Sequence, residues 1–139
     1  MFKAGGGFER PGGKIPERTG PVRVNDATFE AEVLRSPFPV VVDFYADWCL
    51  PCRATAPMVR DLSARLAGRV KFATVDVDES AVVTRSYGIH SIPTYVFVEG
   101  GHERGRTVGP IDSVALRATL RRLFGPAGTP PSGGTPASR

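Results

Sequence analysis

Cys49 and Cys52 are the two cysteines of a 139-residue chain, and they stand two residues apart in Trp48-Cys49-Leu50-Pro51-Cys52. Thiols at that spacing can close a small ring, so the pair can pass between dithiol and disulfide. The apolar run Val40–Ala46 precedes them, and a helical pattern follows. A strand that runs into a helix through Cys-x-x-Cys reads as a redox site in a cytosolic-type chain. Cys49 then falls at the helix N-terminus, where unpaired backbone N–H groups and the positive end of the dipole stabilise a thiolate. The thiolate is the form that attacks disulfides. Cys52 falls in the first turn, more buried, and can reach back to resolve a mixed disulfide. Pro51 suits the first helical position.

A metal site is the alternative use of two such thiols. Two cysteines supply half of a tetrahedral zinc set. His90 and His102 would have to complete it, and neither has ligand-like spacing, so no metal is expected. Both histidines read as surface residues. Asp43 lies inside the apolar run, and strand alternation turns it away from Val42 and Phe44 toward one covered face. A buried carboxylate without a partner is costly, so its pKa is expected to rise. Asp47 reads as exposed and receives no role. Gly5-Gly6-Gly7 and Gly12-Gly13 do not lie between a strand and a helix, so no nucleotide motif is seen.

Several elements must hold these residues in place. Val22-Arg23-Val24 reads as a short strand. Asn25 or Asp26 can cap a helix to about Arg35, with Phe29 and Val33 on one face. Ser36-Pro37-Phe38-Pro39 breaks it. Val40–Ala46 reads as a central strand covered on both faces. The next helix runs to about Ala67, is kinked at Pro57, and stops at Gly68. Val70–Val77 reads as a strand, Glu79–Tyr87 as a short helix ended by Gly88. Thr94–Val98 and Arg104–Val108 flank Glu99-Gly100-Gly101 as a hairpin. Asp112 or Ser113 caps a last helix with Leu116, Leu120, Leu123 and Phe124 inward. The fold class is therefore α/β in the order βαβαβαββα, a mixed five-stranded sheet with helices on both faces.

Composition sets the remaining bounds. Residues 1–20 and 125–139 are rich in Gly and Pro and poor in apolar residues, and they read as disordered extensions around one domain spanning 21–124. The formal net charge is +4, but about +1 remains once these extensions are set aside. No basic and aromatic interleaving suggests nucleic-acid binding. There is no apolar run long enough for a membrane span and no apolar segment near Met1 for a secretory signal. Two cysteines do not make a secreted disulfide framework, so a cytoplasmic setting is expected.

This order of elements resembles the thioredoxin family. The resemblance rests on Val41-Val42-Asp43-Phe44-Tyr45-Ala46-Asp47-Trp48-Cys49, on Cys52-Arg53-Ala54-Thr55-Ala56-Pro57, on Val75-Asp76-Val77-Asp78 followed by Tyr87-Gly88-Ile89, on Ile92-Pro93-Thr94, and on Val108-Gly109. It implies a thioredoxin fold and a protein-disulfide reductase with Cys49 as nucleophile, its pKa lowered toward the value of about 7 known for thioredoxin itself. Cys52 is implied as the resolving thiol and Asp43 as its buried general base. The resemblance also implies a cis peptide bond before Pro93 that opens the neighbouring backbone to a substrate. Trp48, Leu50, Pro51 and Ile92 would shape the contact surface. No bound cofactor is implied, only the Cys49–Cys52 disulfide, restored by a thioredoxin reductase that draws on NADPH. Disulfide-bearing clients are the expected partners of a monomer.

The sequence departs from the family in places. Leu50 replaces the usual glycine of the site, Thr74 stands where a lysine is common, and Tyr45 where a tryptophan is common. The bacterial branch often adds an N-terminal zinc ribbon, but no cysteine precedes Cys49. The rival readings are a thiol oxidase or disulfide isomerase, and a non-catalytic binding module on the same fold.

Overall fold

Strand β2 (Val40–Tyr45) is the centre of the molecule and leads straight into the cysteine pair. The computed structural model describes residues 20–128. In chain order the other elements are β1 (Val22–Val24), a short π-helical segment (Glu30–Leu34), α1 (Leu50–Arg65), β3 (Lys71–Asp76), α2 (Ala81–Ser86), β4 (Thr94–Glu99), β5 (His102–Val108) and α3 (Ser113–Phe124). The sheet order is β1-β3-β2-β4-β5. β1, β3 and β2 run parallel, while β4 and β5 add antiparallel pairings on the other side of β2. The expected mixed α/β sheet is therefore the observed one.

β2 separates two apolar layers, as its alternation requires. Val40, Val42 and Phe44 pack with Phe29, Val33 and Val83 beneath the π-helical segment and α2. Val41 packs on the other face with Val59, Leu62 and Leu66, and with Leu116 and Leu120 of α3. Each such fully buried side chain contributes roughly 1.5–3 kcal/mol. The many apolar residues of the two layers thus outweigh the cost of one buried carboxyl on the same strand.

Local signals set the element ends. Gly68 and Gly88 have φ of 87° and 62°, which favours glycine just beyond a helix. Asp112 caps α3, its Oδ1 accepting from Ala115 N–H at 2.8 Å. The hairpin turn is tighter than expected. Gly100 and Gly101 both have positive φ, so they alone connect Glu99 to His102. Glu99 pairs with His102 across this turn, so β5 begins at His102 and not at Arg104, and an irregularity between Phe97 and Val98 leaves Arg104 without a register partner.

Two expectations need correction. The segment after β1 is not a regular helix to Arg35. Asn25 Oδ1 accepts from the N–H groups of Ala27 and Thr28 at 2.9 and 3.1 Å, and the chain then widens, with Arg35 N–H donating to Glu30 O five residues back. Asp26 caps α2 instead, its carboxylate accepting from Val82 and Val83 N–H at 3.2 and 2.8 Å. The C-terminal extension was expected to begin at Gly125. Gly125–Gly128 continues as a 3-10 turn, Arg69 Nη2 donates to Pro126 O at 3.0 Å, and Ala127 packs on the core. A Cβ on Gly128 would run into the Leu120 carbonyl oxygen, so the glycine permits this close return. The rest of the two expected extensions, residues 1–19 and 129–139, lies outside the described residues.

Candidate active site

The chain leaves β2 at Tyr45, crosses Ala46-Asp47-Trp48, and enters α1 with Cys49 as its N-cap. Cys49 has extended backbone angles (φ −85°, ψ 109°), and its Sγ accepts from Cys52 N–H at 3.2 Å. Sulfur here does what a serine or aspartate oxygen does at other helix starts. A negative charge on that sulfur faces an unpaired helix N–H and the positive end of the helix dipole. Pro51 occupies the first turn without loss of a needed donor. The two cysteines form a disulfide, with Cα atoms 5.3 Å apart.

The Ile92-Pro93 peptide bond is cis, as expected, and Pro93 is buried. Cys49 Sγ lies 3.9 Å from the Ile92 carbonyl oxygen. Gly109 N–H donates to Pro93 O at 2.7 Å, which ties the loop to the end of β5. Leu50 is 70% exposed and Trp48 67% exposed, so both present apolar surface beside the sulfurs. The indole does not float. Trp48 Nε1–H donates to Asp78 Oδ2 at 2.8 Å, and Asp78 N–H donates in turn to Asp76 Oδ1 at 2.9 Å. Asp47 is exposed, as read from the sequence.

One expectation about the thiols fails. The sequence predicts Cys52 as the more buried sulfur, yet Cys49 is 4% exposed and Cys52 6%. Both pack with Ala46 under Tyr45, Val77 and Ile92. The ring closed by the disulfide holds the two residues under one cover, so exposure does not separate them. Their difference lies in position on the helix: Cys49 receives the N–H, Cys52 supplies it.

Asp43 is 7% exposed, and its Oδ1 is buried with no hydrogen-bond partner. Burial alone pushes its carboxyl up to about 7. Asp43 and Cys52 line one recess of about 200 Å³, whose other walls include Thr74, Tyr45 and Arg60. Thr74 is the register partner of Asp43 on β3. A lysine there could bring an ammonium toward the carboxylate; the threonine brings none, and burial is the cause of the shift on Asp43. On its other side Asp43 pairs with Tyr95 of β4. Tyr95 OH donates to Thr55 Oγ1 at 3.0 Å, and the Thr55 hydroxyl donates to the Cys52 carbonyl at 3.1 Å. Burial pushes the Tyr95 phenol up to about 12, with the Asp43 charge adding to the effect. Nothing in the local sequence singles out Thr55 or Tyr95. Each has an ordinary type for its element, and only their meeting across 40 residues makes a pair.

The histidines lie apart from this chemistry. His90 is exposed at the rim of a groove along α2, and His102 is exposed at the start of β5. Among the described residues no three His, Cys, Asp or Glu side chains gather as a metal site. Among them also, no helix is long and apolar enough to cross a membrane.

The arrangement can exchange a disulfide with another molecule through its own sulfurs. Comparison with known proteins agrees. The thioredoxin family model matches residues 20–122. Thioredoxin 1 of Nostoc sp. is 42% identical over 100 residues, covering 72% of this chain and 94% of that protein. Thioredoxin of Synechocystis sp. is 41% identical over 102 residues, covering 73% and 95%. Thioredoxin M2, chloroplastic, of Arabidopsis thaliana is 39% identical over 101 residues, covering 73% of this chain and 54% of that protein. A match that runs from before β1 almost to the end of α3, with the Nostoc and Synechocystis relatives covered nearly end to end, means that this chain belongs to the thioredoxin family and is a protein-disulfide reductase.

Proposed function

We propose that Cys49 is the attacking thiol and Cys52 the resolving one. The observation that carries this division is the Cys52 N–H donated to Cys49 Sγ at the start of α1. Cys49 thiolate attacks one sulfur of a client disulfide, the client S–S bond breaks, and a mixed disulfide forms on Cys49. Cys52 then loses its proton to the Asp43 carboxylate and attacks Cys49 Sγ. The Cys49–Cys52 bond forms, the bond to the client breaks, and the client leaves as a thiolate. Two electrons have passed from the cysteine pair to the client. A carboxyl with a pKa of about 7 suits proton transfer near neutral pH.

Trp48, Leu50, Pro51, Ile92 and Pro93 shape the surface on which the client lies. Leu50 favours clients with an apolar residue beside the cystine, since a glycine there would offer no side chain to cover. The proposed electron donor is a thioredoxin reductase, the proposed compartment the cytoplasm, and the working unit a monomer whose domain begins at residue 21 and includes the packed turn to residue 128.

The test is the equilibrium potential of the Cys49–Cys52 pair against glutathione. The expected value is more reducing than about −230 mV, on the side of thioredoxin at about −270 mV, so that a cytosolic pool keeps the pair mostly reduced. A value above about −200 mV makes the pair an oxidant or isomerase and overturns its direction of use.

A further inference from the structure

We propose that Tyr95 and Thr55 are positioning residues for the resolving step: their hydroxyl pair ties the Cys52 turn of α1 to β4, beside Asp43, and so sets the path along which Asp43 takes the Cys52 proton. The proposal rests on the reading of Asp43 as that base.

Three elements meet at this point. β2 brings Asp43, β4 brings Tyr95 as its register partner, and α1 brings Cys52 and Thr55. The Tyr95 ring is fully buried, so its hydroxyl needs a partner inside the protein. It finds Thr55 Oγ1 at 3.0 Å, and Thr55 passes the chain on to the Cys52 carbonyl at 3.1 Å. Among the described residues this is the single hydrogen bond between an α1 side chain and the sheet. The core contact between α1 and the sheet, Val59 and Leu62 in one cluster with Val41, Phe72 and Phe97, is apolar, and apolar contact is not directional. A hydrogen bond is directional, and it acts on the one residue whose thiol must be deprotonated.

Proton transfer needs donor and acceptor within about 2.6–3.2 Å, or one water between them. Misplacement by about 1 Å is costly in such a step. Asp43 has no partner on Oδ1 to hold it, Thr74 supplies no cation, and Arg60 is the one basic residue that lines the recess. The geometry between carboxyl and thiol therefore depends on where α1 sits over the sheet. Tyr95 and Thr55 act through that placement and do not touch the client.

The experiment uses the full chain and an aromatic disulfide reporter that releases one coloured thiolate on attack and a second on resolution. Tyr95→Phe and Thr55→Val keep the volumes and remove one hydroxyl each, and thermal melts verify that both fold. The first release should be unchanged. The second should slow about three- to tenfold at pH 7 in both variants and return to the parent rate near pH 9.5, where Cys52 loses its proton without help. Thr55→Ser restores a hydroxyl and should restore the rate. In an Asp43→Asn background, Tyr95→Phe should add no further slowing. If Asp43→Asn slows resolution but the two hydroxyl variants do not, the positioning proposal is overturned and the base remains. The proposal is also overturned if the slowing is equal at every pH or persists in the Asp43→Asn background. If Asp43→Asn resolves at the parent rate, the base and the positioning proposal fall together.

Discussion

Asp43→Ala will be more stable than the parent chain at pH 8, by up to about 4 kcal/mol, and no more stable than it at pH 4. The size follows from a carboxyl raised from 3.8 to about 7, roughly three units at 1.36 kcal/mol each. The sign follows from proton binding. Between about pH 4 and pH 7 the folded chain keeps the Asp43 proton while the unfolded chain has lost it. Raising the pH through that window therefore favours unfolding. Below it Asp43 is neutral in both states and costs little. Above it the folded chain carries a buried charge whose Oδ1 has no hydrogen-bond partner. Removing the carboxyl leaves no hydrogen-bond partner orphaned on Oδ1, and the recess already adjoins the site. Urea unfolding at pH 4, 6 and 8 checks this, with the gap between variant and parent opening as pH rises. A loss of more than about 2 kcal/mol at pH 8 would identify Asp43 as hydrogen-bonded structure. The stabilised variant should resolve mixed disulfides more slowly, a gain in stability set against a loss of rate.

The second large effect separates the two sulfurs. In the reduced protein at about pH 6, iodoacetamide should label Cys49 well before Cys52. Exposure cannot be the reason, since the two residues are covered almost equally in the disulfide form. The reason is the helix start, where Cys49 Sγ accepts an N–H and meets the dipole. Cys52→Ser keeps that activation and removes the resolving thiol, so client mixed disulfides should accumulate and be visible on a non-reducing gel. Cys49→Ser should trap nothing and should lower disulfide reduction at least about a thousandfold, as loss of a catalytic nucleophile does. Equal labelling of the two sulfurs, or equal trapping by the two variants, would show that the division of labour is wrong. Clients held by both variants under reducing conditions would point to a binding module instead.

Much of this protein is legible in short stretches of its sequence. Cys49, Pro51 and Cys52 lie within one helical turn, so their geometry is dictated by helix-start rules. Gly68, Gly88 and the Gly100-Gly101 pair mark positions where φ must be positive, and Asp112 reaches a donor three residues on. The alternation of β2 turns Asp43 toward a covered face without any knowledge of what covers it. Each of these rests on forces between near neighbours in the chain. The tertiary structure alone decided the rest. Asp26 has the type and position to cap the segment beside it, yet it caps α2, 57 residues away, because β1 brings it there. Trp48 is held by Asp78, 30 residues on, and Tyr95 by Thr55 across 40 residues. The near-equal cover of the two cysteines depends on Ala46, Val77 and Ile92 arriving from three places in the chain. A hydroxyl or carboxylate can pair with any donor that packing brings within about 3 Å, and which donor arrives is a property of the packed layers rather than of the local sequence.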